Sequence, residues 1–181
     1  MGRSAAIVLL LTCACAPAAP AAAQTLRPVE IFGGYAFVHD PKNDVSLPAG
    51  WTVGTALRLS DWLSAVADAS GGYRTEDAFG ARVRLSAHAL LVGARTSAHI
   101  GRLDEFAQLL AGVVRGSGTA FGFTETTNAF ALQPGAGIDC PIARRLAARG
   151  EIDVRFIRNK PNGNEAGYEY RFAAVLVYRL R

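Results

Sequence analysis

Cysteine is scarce in this chain: there are three among 181 residues, and two of them, Cys13 and Cys15, fall in a leader-like stretch. Cys140 is then the one thiol of the remainder, which excludes an intramolecular disulfide and leaves the fold to stand unstapled. Long apolar runs are missing as well. No window beyond the leader reaches the ~20 unbroken apolar residues that a membrane-spanning helix requires. Extended cationic clusters are also lacking, since the formal net charge is +4 and the arginines are spread along the chain, with no run longer than Arg144-Arg145. With export, that spacing sets nucleic acid aside as a partner. Metal-ligand spacing is absent too: His39 and Asp40 sit in one loop, His99 in a distant turn. Gly116-Ser117-Gly118 is followed by neither a lysine nor a helix start, so it is a flexible loop and not a phosphate cradle.

Against these absences, 50% of the residues are hydrophobic. A chain carries that much apolar surface without a long run when its strands alternate faces, as those of a barrel do.

Residues 1–23 read as a secretory signal peptide. Arg3 supplies the basic start and Ala5 to Leu11 an apolar core too short for a bilayer. Ala21-Ala22-Ala23 gives the small residues before cleavage ahead of Gln24. Cys13 and Cys15 lack the Leu-Ala-Gly-like approach of a lipidation site. Residues 24–181 then form one domain.

Alternation with period two recurs eight times in that domain, over 29–38, 51–60, 62–73, 87–97, 104–115, 129–140, 144–158 and 168–180. The seventh segment is the clearest. Leu146, Ala148, Gly150, Ile152, Val154 and Phe156 share one face, and Arg145, Arg149, Glu151, Asp153 and Arg155 share the other. A helix would scatter those charges around its circumference. Short connections (Ser60-Asp61, Ser97 to Leu103, Pro141 to Ala143) alternate with longer ones at 39–50, 74–86, 116–127 and 159–167. Asn162-Gly163 is a turn signal within the last of these. Short turns on one rim and long loops on the other fit an eight-stranded antiparallel up-and-down transmembrane β-barrel in an outer membrane, all-β and free of helices.

Three features decide which face meets lipid. Trp51 and Tyr73 lie at the loop rim, Trp62 and Tyr178 at the short-turn rim, matching aromatic belts at two bilayer interfaces. On the inferred inner face Glu30, Asp68, Asp139, Glu151 and Asp153 are balanced by Arg58, Arg95, Arg149, Arg155 and Arg171. An eight-stranded barrel is just wide enough for side chains to fill, and buried charges must be paired. Turning the seventh strand over would aim four charges at lipid, at ~2–4 kcal/mol per midplane arginine. Pro134 is the misfit: it lies inside the sixth strand, where a bulge is expected to shift Gly135, Gly137 and Asp139.

Several segments carry a resemblance to a known family. They are Glu30 to Tyr35, Trp62 to Asp68, Leu91 to Arg95, Phe106 to Val114, Gly135 to Asp139 and Val175 to Leu180. In order and spacing the chain resembles the outer-membrane β-barrel domain family, related to the eight-stranded transmembrane domain of outer membrane protein A. That resemblance implies a monomeric barrel in outer-membrane lipid, inserted by the barrel-assembly machinery. Two departures stand out. Members usually end in an aromatic residue, whereas this chain closes on Leu180-Arg181 with Tyr178 nearby. No peptidoglycan-binding domain follows, so no wall-anchoring role is expected.

Chemistry is hard to find. Ser86 and His88 share the outward face, but no carboxylate is placed to orient the histidine. Their order and context differ from the His/Ser pair of lipid A deacylases. Cys140 reads as a small apolar residue near the periplasmic interface. The expectation is a non-enzymatic barrel without cofactor or metal. Its polar lumen is plugged, and its role is structural or one of recognition through the long loops. The alternatives are a soluble periplasmic barrel with an apolar ligand pocket and a small-solute pore.

Overall fold

The structure, a computed structural model, describes residues 28–78, 81–120, 123–158 and 166–180. The signal peptide expected over 1–23, the Asn162-Gly163 turn and Arg181 lie outside the described residues.

Every described element is a strand: β1 (Val29–Asp40), β2 (Val45–Leu47), β3 (Ala49–Arg58), β4 (Leu63–Ala78), β5 (Ala81–Ile100), β6 (Leu103–Ala120), β7 (Phe123–Ala143), β8 (Leu146–Arg158) and β9 (Ala166–Leu180). The three-residue β2 folds back on the end of β1. The other eight run antiparallel in chain order, and β9 pairs with β1 from Val29↔Leu180 to His39↔Tyr170. The result is a closed eight-stranded up-and-down barrel. Closure leaves no free edge, so each stave's backbone N–H and C=O groups are offered a neighbour on both sides.

Period two decides what each stave shows to either side. In β8, Ala147, Arg149, Glu151, Asp153 and Arg155 are buried, while Ile152 and Phe156 are 49% and 47% exposed. The same alternation runs round the barrel, with Leu90, Val92, Leu109 and Leu176 facing out. Inside, Phe32, Ala56, Val66, Leu91, Leu110 and Val177 form an apolar lining that shares the interior with the charges.

The hairpins are longer than the sequence pattern predicts. β5, β6 and β7 run to 20, 18 and 21 residues, because segments expected as loops at 74–86 and 116–127 are paired as far as Ala78↔Ala81 and Ala120↔Phe123. A bilayer takes ~9–11 residues of a tilted strand, so these staves outlast it by about ten. Their Gly, Ser and Thr content reads as loop, yet once the register is set below, each further rung satisfies backbone groups at little cost. In the first connection, Asp40 Oδ1 accepts from the backbone N–H groups of Lys42 and Asn43 at 2.9 and 3.2 Å, forming a side-chain-capped turn ahead of β2. At the opposite rim, Gly101 turns β5 into β6 with φ +65°, a conformation glycine adopts without strain.

The bulge expected at Pro134 does not form. Pro134 keeps its register with Leu109 of β6. Toward β8, pairing lapses at Gln133 and Pro134 and resumes unshifted at Gly135↔Asp153. The ring's missing donor is absorbed by skipped rungs and not by an inserted residue, so Asp139 stays on the inner face. The irregularity lies lower, between Pro141 and Ala143, and β8 starts at Leu146 and not at residue 144.

Candidate functional site

The interior polar groups stack in tiers along the barrel axis. At the short-turn end, β1 and β9 are cross-linked by Glu30 and Arg179, register partners on the seam. Arg179 Nε donates to Glu30 Oε1 at 3.0 Å, and its Nη2 donates to Asp104 Oδ2 at 2.8 Å and Asp139 Oδ2 at 3.3 Å. Arg149 donates to both oxygens of Asp139 through Nε and Nη2, at 2.6 and 2.8 Å, and its Nη2 reaches Glu30 at 3.4 Å. His99 on the rim closes on Asp104 at 2.6 Å.

Two phenyl rings occupy the next tier. Phe32 and Phe106 each lie under two guanidinium groups: Arg95 is 5.5 and 4.2 Å from their centroids, Arg149 5.3 and 4.7 Å. Stacked guanidinium is attracted to the ring faces, and more strongly when desolvated. Glycine makes the space. A Cβ on Gly54 would lie 2.3 Å from Phe32 Cζ, and one on Gly137 2.5 Å from Phe106 Cζ.

Arg171 is the hub above the rings. Its guanidinium donates to Asp153 Oδ2 at 2.8 Å, Thr52 Oγ1 at 3.1 Å, Asp68 Oδ2 at 3.3 Å and also to Glu151. Gln108 bridges sideways. Its carbonyl accepts from Arg95 Nε and Nη2 at 3.1 and 2.7 Å, and its amide donates to Glu151 at 2.9 Å and Asp153 at 3.0 Å. In the top tier Arg155 donates to Gln133 at 2.8 Å, Ser70 at 3.3 Å and Glu169 at 3.4 Å.

Charge balance explains how this is tolerated. Among the described residues the buried ions are four arginines (95, 149, 155, 171) and four carboxylates (68, 139, 151, 153). Each ion loses several kcal/mol of hydration, which only multiple charge-assisted hydrogen bonds offset. Arg95 Nη1, Arg149 Nη1 and Gln133 Nε2 are the buried side-chain atoms left without a partner among the described residues.

Of the ten residues expected on the inner face, Asp68, Arg95, Asp139, Arg149, Glu151, Asp153, Arg155 and Arg171 are buried and connected, and Glu30 joins them part-buried. Arg58 is a correction. It is exposed at the short-turn rim, where it lines an open cavity of about 400 Å³, and no described carboxylate pairs with its guanidinium. It stands at the last rung of β3, at the open end of the bore. Sequence reasoning missed Gln108, Gln133, Thr52 and Ser70, which carry no charge, and also Asp104, Glu169 and Arg179. Alternation alone would have placed all seven inward.

On the outer face Trp51 Nε1 lies 3.4 Å from Tyr73 Oη, which lies 3.0 Å from His88 Nε2, with the tyrosine and imidazole rings edge to face at 5.4 Å. Tyr73, not Ser86, is thus the hydrogen-bond partner of His88 among the described residues. Trp62 stands 60% exposed in the β3–β4 turn, and Tyr178 Oη lies 3.5 Å from Arg145 Nη1. Cys140 is exposed on the outer face.

No family model matches the chain, and no curated protein is similar to it. Solved structures are. Ail, the attachment invasion locus protein of Yersinia pestis, superposes with a TM-score of 0.59 at 13% identity, over 85% of this chain and 99% of its own. Neisserial surface protein A gives 0.63 at 12% identity, over 83% and 95%. The fold is that of a small outer-membrane β-barrel. The N-terminal barrel domain of Pseudomonas aeruginosa OprF gives 0.56 at 10% identity, over 85% and 98%. At such identities this outer-membrane barrel fold is what the similarity establishes.

Proposed function

We propose that the chain is an integral, monomeric outer-membrane protein. Its bore is plugged by the interior network, and it works as a structural element or by recognition at the long hairpins, not by catalysis. The observation that carries this reading is the division of polarity across one sheet: Arg149, Glu151, Asp153 and Arg155 are buried, while Ile152, Phe156, Leu90, Val92, Leu109 and Leu176 are about half exposed. A barrel in water would wet that whole girdle, far beyond the apolar patches soluble monomers tolerate. In hydrocarbon the same face is solvated and the charges stay away from lipid.

The remaining expectations fit around this core. Trp51 and Tyr73 would anchor one bilayer interface, Trp62 and Tyr178 the other. Removal of residues 1–23 on export, and insertion by the barrel-assembly machinery, would bring the chain there. Ser86 lacks a base within the described hydrogen bonds, because the histidine two residues on is engaged by Tyr73.

Membrane fractionation with cold and boiled gels tests the location. The expected result is extraction only with detergent and faster migration of the unboiled band. Recovery in the soluble fraction would overturn it. Planar-bilayer recording tests the plug, and steady single-channel openings would defeat it.

A further inference from the structure

We propose that the outward face of the β5–β7 crown carries a binding site for the phosphate-monoester headgroup of a membrane lipid, built by Arg84, His88 and Arg115. The proposal rests on the membrane reading above and names a partner for it.

Followed upward along the outer face, three adjacent staves change character at one level. β5 passes from Val92 and Leu90 to His88, Ser86 and Arg84, and β6 from Leu109 and Val113 to Arg115 and Ser117. β7 passes from Leu132 and Phe130 to Asn128 and Thr126. The level is common because His88↔Arg115 and Arg115↔Asn128 are register partners. One rung pair higher, Ser86↔Ser117 and Ser117↔Thr126 form a row of hydroxyl-bearing residues, the two serines half-buried and bordering the open mouth as well, and above it stands Arg84↔Thr119. Two residues of strand span about 7 Å. Arg84 can therefore reach down, and Arg115 up, onto the same serine pair.

Charge is segregated by face at this height. Arg84, His88 and Arg115 are exposed on the outside. Several carboxylates of the same half are engaged elsewhere: Glu125 shares the inward parity of Gln133, Asp40 caps the turn ahead of β2, Glu76 is held by Arg74 and Glu169 by Arg155. Arg84 and Arg115 flank one serine pair from above and below, and two guanidinium groups that converge on it repel each other unless an anion sits between them. Tyr73 holds His88 from the side at 3.0 Å, which fixes the imidazole beside Arg115. Immediately below lie Leu90 and Val113, 64% and 52% exposed. A phosphate above acyl chains matches that order, with the guanidinium forks and hydroxyls on the oxygens and the chains on the apolar staves.

The test uses the full mature chain folded in phosphatidylcholine nanodiscs, alone or doped with phosphatidic acid or phosphatidylglycerol. The readout is the midpoint of heat-modifiability. Phosphatidic acid, a monoester, is expected to raise the midpoint by about 5 °C, and phosphatidylglycerol, a singly charged diester, by less than half as much. The double variant Arg84→Gln/Arg115→Gln should keep its midpoint in plain phosphatidylcholine and lose the rise, while Arg144→Gln at the opposite rim should retain it. Equal rises with the two anionic lipids, or a rise that survives in the double variant, would overturn the site. No heat-modifiable form in any nanodisc would instead bring down the membrane reading, and this site with it.

Discussion

The lower barrel and the crown are made of the same continuous staves, yet their interiors are built by opposite means. Below, Arg171 of β9 ties Thr52, Asp68, Glu151 and Asp153 together, drawing side chains from β3, β4 and β8 onto one guanidinium. Above, Val45, Leu47, Val83, Leu85 and Phe123 line an open mouth of about 610 Å³, and the described contacts are mostly between neighbouring strands. Backbone ladders run through both regions. Only the lower one is also locked across the axis, so stability should reside there while the crown tolerates change. That division suits a barrel whose outermost hairpins face the surroundings.

Removing the hub should break the comparison most forcefully. Arg171→Leu leaves Asp68, Glu151 and Asp153 buried without their main counter-ion, and is expected to cost about 3–5 kcal/mol, read as a lower urea midpoint in lipid vesicles. Adding Asp153→Asn should recover part of that loss, since one fewer buried carboxylate then lacks a partner. A loss below about 1 kcal/mol would mean that water reaches these groups and that the interior is not sealed.

Overfilling comes next. Gly137→Val would press a side chain into Phe106 Cζ, 2.5 Å from the position of the new Cβ, and into the Gly150 carbonyl at 2.4 Å. Overpacking of this kind costs about 1–3 kcal/mol. It should also loosen the phenyl tier under Arg95 and Arg149, visible as faster exchange of backbone amides in β6 and β7.

Gln108→Leu sharpens the point about neutral groups. The amide accepts two donors of Arg95 and donates to two carboxylates, so its loss strands groups on both sides, at about 2 kcal/mol. The urea midpoint measures it. A neutral outcome would show that the ions are paired well enough without the bridge.

Much of the lower barrel was legible because period two in β8 admits one arrangement: a one-residue slip would turn Arg149, Glu151, Asp153 and Arg155 outward together. Eight staves and their order followed from eight such segments. Legibility failed where that constraint is weak. In 74–86 and 116–127 neither face is forced inward by a packed interior, so Gly, Ser and Thr looked like loop although the chain stays paired to Ala78↔Ala81 and Ala120↔Phe123. Pro134 was misread as a bulge because a missing donor can be met in two ways, by an inserted residue or by skipped rungs, and composition does not distinguish them. In the network, charge pointed to Asp153 and Arg171 but overlooked Gln108 and Gln133, since an amide bridging two ions is invisible to charge counting. Arg58 erred the other way: its parity was right, but it lies on the last rung of β3, where the bore widens into an open cavity and the side chain stays exposed.

The smallest expected effect lies in the crown. Thr119 and Thr124 face each other across the β6–β7 hairpin with their hydroxyls 2.9 Å apart. The pair is exposed, so water replaces the bond when Thr119→Ala removes it, and the change should stay within about 0.5 kcal/mol. The deciding measurement is that variant's urea midpoint beside that of Gln108→Leu. If the two shift alike, the upper rungs unfold as one unit with the ion-packed tiers, and the crown is as much a part of the locked barrel as Arg171. If Thr119→Ala is silent, the hairpins are carried by their ladder alone and can vary in sequence without loosening what lies beneath.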